Sequence, residues 1–331
     1  MSQTSKASVN FIEITSEQAG QRLDNFLLRE LKGVPKSRVY KIIRGGEVRV
    51  NKGRVDVTYR LETGDVVRVP PVRMAEAPDI APAQAAAQRI DLPILFEDDA
   101  MLAINKPAGL AVHGGSGVNF GVIELLRAQR PDAKFLELVH RLDRETSGIL
   151  MVAKKRSALV KLHDMLRDNH NIDKRYLAMV AGVWPDDKRH VRFKLFKYHT
   201  PEGERRVRVA ADGQEAHTIV YRRRVGEQYS LVECELKTGR THQIRVHLAS
   251  SGFPILGDEK YGDFALNKQL PKEGLKRMFL HAWQLTLAHP ISGDELKIEA
   301  PLPTELAQFV EATTQARKTA SSAAQGKPAR G

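Results

Sequence analysis

The stretch His140-Arg141-Leu142-Asp143-Arg144-Glu145-Thr146-Ser147-Gly148 sets the carboxylate of Asp143 among two arginines and a histidine. It joins two strand-like runs, residues 135–139 and residues 149–153. Positive charges beside a carboxylate hold it in the ionised form that a nucleophile requires. These residues alone leave two interpretations open: Asp143 is a catalytic carboxylate, or it forms a structural salt bridge with Arg144 or a distant arginine.

The composition of the whole chain favours a polyanionic partner. The 331 residues carry a formal net charge of +12, and such an excess promotes association with polyanions without defining a fold. The single cysteine, Cys234, excludes an intrachain disulfide and argues against a thiolate metal site. No apolar run is long enough to span a bilayer, and the first ten residues lack the apolar stretch of a signal peptide. We therefore expect a cytoplasmic protein.

Composition divides the chain into five segments. We predict a flexible N-terminus over residues 1–16, a small domain over 17–73, and a linker rich in alanine and proline over 74–91. A large domain with many valine, leucine and isoleucine strands follows over 92–312. The tail, 313–331, is basic and rich in alanine, serine and glutamine, which is typical of disordered segments.

The small domain carries a concentration of positive charge. Apolar residues at helical spacing predict helices over 21–31 and 37–44, and Gly45-Gly46 is typical of a helix C-terminus. Basic residues at three-residue spacing share one face of the second helix, and more follow in the predicted hairpin. We assign RNA binding to six of these residues: Lys36, Arg38, Lys41, Arg44, Arg49 and Lys52. The alternative is a solvated helix face without a partner.

The pattern of this small domain resembles that of the S4 RNA-binding domain. The matching residues are Arg22-Leu23-Asp24, Phe26-Leu27, Ser37-Arg38, Ile42, Arg44, Gly46, Val48, Val50-Asn51, Leu61 and Gly64-Asp65. The resemblance implies a basic surface, presented by a helix, that binds structured RNA.

Two further clusters in the large domain contain residues that could perform chemistry. Lys106-Pro107 leads into the glycine-rich run 113–117, which fits neither a P-loop nor a Gly-x-Ser-x-Gly nucleophile turn. The segment 237–247 follows a strand and opens a predicted helix that ends near Gly252. Its two histidines are five residues apart, a spacing that shares no face, so we expect no metal site. Arg240, at the strand-to-helix turn, could point into a cleft and pair with a carboxylate.

Together these clusters and the segment Lys174-Arg175-Tyr176-Leu177-Ala178 resemble the pseudouridine synthases of the His-Arg-Leu-Asp branch. The resemblance implies an α+β catalytic domain with a central, mainly antiparallel sheet. It implies that Asp143 is the catalytic aspartate and that Arg141 enters the RNA where the target base is flipped out. It also implies that Tyr176 stacks on the uracil and that Arg240 pairs with Asp143.

The same resemblance implies a reaction and a partner. Uridine and pseudouridine are isomers, so we expect no cofactor and no metal. The expected substrate is 23S ribosomal RNA, and the expected protein is a monomer. Three roles of Asp143 stay open: attack at C1′, addition to C6, and removal of a 2′ proton. Two other functions also stay open, a non-catalytic RNA-binding protein and an RNA N-glycosidase that releases the uracil.

Overall fold

A computed structural model places most of the chain in two units. It describes residues 9–16, 18–31, 34, 36–72, 90–114, 120–168 and 171–314. The first unit comprises residues 1–90 with two short segments, 128–131 and 155–157, and the second comprises the rest. Nearly all of the predicted linker, and the predicted tail beyond Thr314, lie outside the described residues.

The first unit contains two helices and a small antiparallel sheet. Its elements are β1 (Asn10–Glu13), α1 (Leu23–Glu30), α2 (Lys36–Arg44), β2 (Arg49–Val50) and β3 (Val66–Val69). The sheet has the order β1–β3–β2. Its inner face and the apolar sides of both helices form one hydrophobic core.

Strand β1 corrects the prediction of a flexible segment over residues 1–16. Asn10 lies opposite Val69 and Glu13 lies opposite Val66, so these four residues are held by pairing with β3. The strand is too short to show a hydrophobic period of its own. Its stability comes from a partner more than fifty residues away, which local sequence pattern does not show.

Helix α2 has the two faces that the sequence predicts. Val39, Ile42 and Ile43 are buried. The basic residues on the opposite face, Arg38, Lys41 and Arg44, are exposed. The helix ends before Gly46, whose φ of +71° favours glycine because other residues are strained there.

The second unit is built on one large sheet. Its strands are β4 (Ile94–Glu97), β5 (Met101–Lys106), β6 (Glu137–Leu138), β7 (Ser147–Ala153), β8 (Ile172–Ala181), β9 (Lys188–His199), β10 (Arg205–Val209), β11 (Gln214–Val225), β12 (Tyr229–Leu236), β13 (Leu280–Ala288) and β14 (Glu295–Glu299). The helices are α3 (Val122–Gln129), α4 (Arg156–Asp168), α5 (Gln243–Ser250), α6 (Phe264–Asn267), a 3-10 turn (Leu270–Glu273) and α7 (Thr304–Thr314). Helix α7 extends two residues past the predicted domain end at 312.

The sheet confirms the predicted α+β class. Across the described residues its main order is β10–β9–β11–β12–β8–β13–β7–β5–β4, with β14 beside β13 and β6 beside β7. The pairing of β13 with β7 is parallel, and the other pairings are antiparallel. None of the described helices is long and apolar enough to cross a membrane.

The end of the nonapeptide lies on β7, an interior strand of the sheet between β13 and β5. All seven of its residues are buried. Gly148 has a φ of +107°, and a Cβ at this position would overlap the carbonyl oxygen of Ala282 on β13. A glycine is therefore required where the two strands meet, and Asp143 lies four residues before β7.

Candidate active site

The turn that carries Asp143 is braced by the loop after β5. The amide of Thr146 donates to the carbonyl of Asp143 at 3.1 Å, which closes the turn. The amide of Gly109 donates to the carbonyl of Arg144 at 2.9 Å, and the Arg144 Nε donates back to the Gly109 carbonyl at 2.9 Å. This reciprocal pair ties the Lys106-Pro107 cluster of the sequence to the nonapeptide.

Lys106 is the buried centre of this brace. Its side chain is fully buried, and its Nζ donates to the carbonyls of Pro107, Leu110 and Arg144 at 2.8, 2.8 and 3.0 Å. Burial lowers the pKa of Lys106 to about 7. Three carbonyl acceptors match the three donors of an ammonium group, so this lysine fixes the turn rather than serving a ligand.

Asp143 is held from the other side by helix α5. The Asp143 Oδ2 accepts from the Arg245 Nη1 at 3.0 Å, and its Oδ1 lies 3.7 Å from the Nε2 of His242. The Asp143 side chain is 26% exposed. The carboxylate is therefore paired with an arginine yet accessible to a substrate.

Arg245 is itself anchored by a second carboxylate. Its Nε and Nη2 each donate to Asp258 at 2.7 Å, and Asp258 is almost fully buried. Burial alone would raise the pKa of Asp258, but the hydrogen bonds from Arg245 and from the amides of Lys260 and Tyr261 lower it. The two-point contact with Asp258 fixes the guanidinium plane, so that its remaining nitrogen is aimed at Asp143.

The prediction that Arg240 pairs with Asp143 is wrong. Arg240 is exposed, its Nε donates to the carbonyl of Glu215 at 3.2 Å, and its amide donates to the Gln243 Oε1 at 3.0 Å. The arginine on Asp143 is Arg245, five residues further along. The sequence does contain a signal, because Arg245 stands between Ile244 and Val246, and a charge among buried apolar residues requires a buried partner.

His242 and Tyr261 form a second contact chain to Asp143, one that sequence reasoning missed. The amide of Val207 donates to the Tyr261 hydroxyl at 2.9 Å, and that hydroxyl lies 2.7 Å from the His242 Nδ1. Because Nε2 faces the Asp143 carboxylate, we assign the ring proton to Nε2 and the Tyr261 hydroxyl as the donor to Nδ1. Burial lowers the pKa of His242 although Asp143 opposes the shift, so the ring is neutral.

The backbone of His242 has an unusual conformation. Its φ of +53° lies in the left-handed region, at the residue before α5 begins. A non-glycine residue in this region costs about 1 kcal/mol or more and persists only where its surroundings enforce it. Here the ring bonds Tyr261 and faces Asp143, which accounts for a histidine at a position that would favour glycine.

Tyr176 lies on β8, opposite Ala282 of β13 and Cys234 of β12. Its ring is half-buried and packs against the core of that part of the sheet. Burial raises the pKa of Tyr176, and the nearby charge of Asp143 raises it further. The phenol is thus neutral. Its predicted stacking on uracil stays a prediction, as does the role of Arg141, whose side chain is exposed.

The cationic neighbours of Asp143 in the nonapeptide are not its partners. His140 accepts the amide proton of Met151 on Nε2 at 3.1 Å, and burial lowers its pKa to about 4. It is therefore a neutral structural residue. Arg144 contacts Glu145 at 3.6 Å. Of the two interpretations that the sequence left open, pairing with a distant arginine is observed, and this pairing is compatible with catalysis.

Two of the RNA-binding candidates of the first unit, Lys41 and Arg44, line a shallow groove beside α2. This groove has a volume of about 730 Å³ and is lined by Ser37, Tyr40, Lys41, Arg44 and Gly45. The guanidinium carbon of Arg44 lies 5.7 Å from the centre of the Tyr40 ring. Arg38, Arg49 and Lys52 are also exposed. Lys36 is the first residue of α2, and its side chain lies outside the described residues.

Two family models match this chain. A model described as RNA pseudouridylate synthase matches residues 100–250, a range that contains Asp143, Tyr176 and Arg245. A model described as S4 domain matches residues 21–67, which include both helices of the first unit.

Curated relatives match almost the whole chain. Ribosomal large subunit pseudouridine synthase C of Salmonella typhi is 52% identical over 316 residues, covering 93% of this chain and 98% of that protein. The protein of the same name from Escherichia coli strain K12 is 51% identical over 322 residues, covering 95% and 99%. Among solved structures, human RNA pseudouridylate synthase domain containing 4 matches with a TM-score of 0.58 and 27% identity, covering 70% of this chain and 96% of that one.

Proposed function

Because this chain belongs to the RNA pseudouridylate synthase family, we propose that it isomerises uridines of 23S ribosomal RNA to pseudouridine. The observation that carries the proposal is the accessible carboxylate of Asp143, held at 3.0 Å by an arginine that a second, buried carboxylate fixes in place. The relatives named for the large ribosomal subunit support ribosomal RNA as the substrate class.

The reaction breaks the N1–C1′ bond of uridine, turns the uracil, and joins C5 to C1′. The proton of C5 is lost and N1 gains one, so that composition and oxidation state are unchanged. No electron acceptor or transferred group is therefore required. One carboxylate suffices for the covalent or proton-transfer step.

Asp143 supplies that carboxylate in our proposal. It attacks C1′, adds to C6 or removes the 2′ proton, and its contacts are compatible with each of these roles. Arg245 and the neutral Nε2–H of His242 stabilise its negative charge and fix its orientation.

A uridine in folded RNA reaches Asp143 only after it leaves its stack. Base flipping costs a few kcal/mol, and stacking on an aromatic ring offsets part of that cost. Tyr176, near Asp143 on β8, has the chemistry for this stacking. Exposed Arg141, two residues before Asp143, is available to occupy the space that the base vacates.

The S4-like unit supplies RNA affinity in this proposal. The exposed basic face of α2, with Arg38, Lys41 and Arg44, suits the phosphates of a folded RNA. With RNA as its partner, the protein acts as a monomer in the cytoplasm, where ribosomal RNA is available to it.

An RNA N-glycosidase is less compatible with the site. Hydrolysis of a glycosidic bond generally uses a second carboxyl group to protonate the leaving group or to activate water. The second carboxylate here is Asp258, which is almost fully buried and occupied by Arg245 at both oxygens. It cannot serve as an acid while it holds that arginine.

Nucleoside analysis of unmodified 23S ribosomal RNA after incubation with the protein tests the proposal. We expect new pseudouridine, and mapping its positions identifies the target uridines. Abasic sites with free uracil would support a glycosidase instead. Binding without any change in nucleosides would support a non-catalytic RNA-binding protein.

A further inference from the structure

The outer face of the small sheet carries a row of side chains in which Arg49 is an RNA-binding candidate and the other members have no assigned role. Strand register places Phe11 of β1 opposite Arg68 of β3, and Arg68 opposite Arg49 of β2. Side chains opposite each other in neighbouring strands share one face of a sheet. The next register row, with Ile12 and Val67, packs into the core, so the row of Phe11 faces outward.

Within the described part of the chain, Phe11 is not part of the hydrophobic core of the first unit. It is 64% exposed, and Val66 on the same face is 39% exposed. Aromatic side chains generally bury most of their large apolar area. A phenylalanine left in solvent, with one arginine on the neighbouring strand and a second on the strand beyond, suits a surface that stacks on a planar ligand.

The row lies in a groove of suitable size and charge. This sheet groove has a volume of about 1080 Å³ and is lined by Phe11, Gly46, Glu47, Arg49, Asn51, Lys52, Val66, Arg68, Pro70 and Pro71. Three of these residues are basic and one, Glu47, is acidic. Glu13, exposed on the same strand face as Phe11, adds one negative charge at the far end.

Backbone carbonyls hold both arginines of the row in place. Arg68 donates from Nη1 to the carbonyl of Glu47 at 2.6 Å. Arg49 donates from Nε to the carbonyl of Gly46 at 3.4 Å and from Nη1 to that of Lys52 at 3.3 Å. A carbonyl orients a guanidinium without cancelling its charge, so both cations can still attract an anion.

The sheet groove and the groove beside α2 are lined by consecutive residues of one turn. Gly45 lines the latter, while Gly46 and Glu47 line the former. One strand of RNA that leaves the basic face of α2 at this turn would therefore arrive at the row of Phe11.

We propose that the outer face of the small sheet binds an unpaired segment of the substrate RNA. A base stacks on Phe11, and the flanking phosphates bind Arg68 and Arg49. Every base has an aromatic face, so this contact tolerates different sequences. A duplex keeps its bases stacked on one another and offers none to Phe11. The inference rests on the proposed function only in taking RNA as the partner.

The test uses the full-length protein and two RNA probes, an unpaired oligoribonucleotide and a duplex of equal length. The dissociation constant of each probe is measured at several salt concentrations. Phe11→Ala is expected to weaken binding of the unpaired probe about ten-fold, with an unchanged salt dependence and unchanged duplex binding. Phe11→Tyr is expected to restore the affinity. Arg68→Gln is expected to reduce the slope of log Kd against log salt by about one.

Ile94→Ala is the matched control, since Ile94 is a large apolar residue of the second unit that is 51% exposed. It should leave both affinities unchanged. Wild-type affinity of Phe11→Ala for the unpaired probe would overturn the inference. The inference would also be overturned if Phe11→Ala reduced only self-association of the protein, measured by sedimentation. That result would show that the outer face of the sheet contacts a second protein molecule. Pseudouridine formation by the wild-type protein is scored separately, so failure of the proposed function and failure of this inference are distinguishable.

Discussion

The active site and the N-terminal RNA surfaces of this protein use charged residues in opposite ways. The groups that hold Asp143 are themselves held by buried or half-buried partners: Arg245 lies between Asp143 and Asp258, and the neutral His242 contacts Tyr261. On α2 and the small sheet, Arg38, Lys41, Arg44 and Arg49 are exposed, and basic residues outnumber the acids. Buried charge pairs fix the positions of side chains in the active site. Exposed excess positive charge attracts an anionic partner over a distance of several ångströms.

This difference predicts how each region responds to substitution. Removing one member of a buried network leaves another charge unpaired in a poorly solvated place, which costs far more than the loss of one contact. Removing one exposed cation subtracts one phosphate contact and leaves the fold intact. Substitutions at the active site should therefore have large effects on activity or stability. Substitutions on the proposed RNA-binding surfaces should have small, additive effects on RNA affinity.

The largest effect is expected for Asp143→Asn. This change keeps the size of the side chain and removes the charge on which each proposed role of Asp143 depends. Turnover, measured as tritium release from RNA labelled at uridine C5, should fall about a thousand-fold or more, while the protein folds and binds RNA normally. Asp164→Asn, at an exposed surface pair with Arg167, is the control. Wild-type turnover by Asp143→Asn would falsify the catalytic assignment.

Arg245→Ala should be the most damaging change to stability among the residues of the site. It leaves Asp258 buried and Asp143 half-buried without their cation, so the free energy of unfolding should fall by about 3–5 kcal/mol. Urea titration measures this. Arg240→Ala, at an exposed side chain, should change it by less than about 1 kcal/mol. Equal effects of the two variants would show that Arg245 is not the structural centre of the site.

Tyr261→Phe should give an intermediate effect on catalysis. The change removes the hydroxyl that fixes the proton of His242 on Nε2, while the ring stays under the Arg245 guanidinium, 5.1 Å from its carbon. We expect kcat to fall about ten-fold with KM nearly unchanged. A rise in KM alone would indicate that Tyr261 contacts the RNA instead of positioning His242.

The smallest effects are expected on the basic face of α2. Arg38→Gln, Lys41→Gln and Arg44→Gln should each weaken RNA binding a few-fold, and each should lower the slope of log Kd against log salt by about one. The rate at saturating RNA should stay at the wild-type value. Arg60→Gln serves as the control, since Arg60 is exposed in the same unit and is bound to the Gly20 carbonyl. A fall in kcat would contradict a role limited to binding.

The same contrast explains which parts of the molecule could be predicted from the sequence. The two faces of α2, the helix after the segment 237–242 and the mainly antiparallel sheet follow from local periodicity and from the family motifs. Its charged neighbours drew attention to Asp143, and the family resemblance alone predicted that it is catalytic. Strand β1 could not be predicted, because its stability depends on pairing with β3.

The partner of Asp143 could not be chosen with certainty from local reasoning. Arg240 and Arg245 both follow β12, and only the start of α5 at Gln243 decides which of them faces the carboxylate. Gln243 is buried and binds the Arg240 amide, which holds the turn and directs the Arg240 side chain towards Glu215. Asp258 and Tyr261 are brought to the site by tertiary packing that no spacing motif reveals.

The most direct test compares Arg245→Gln with Arg240→Gln in single-turnover tritium release from C5-labelled 23S ribosomal RNA. The account predicts that Arg245→Gln loses about a hundred-fold or more in rate, because Asp143 loses the charge that orients it. Arg240→Gln should remain within a few-fold of the wild-type rate. A severe loss in Arg240→Gln, with normal turnover in Arg245→Gln, would contradict the site as described.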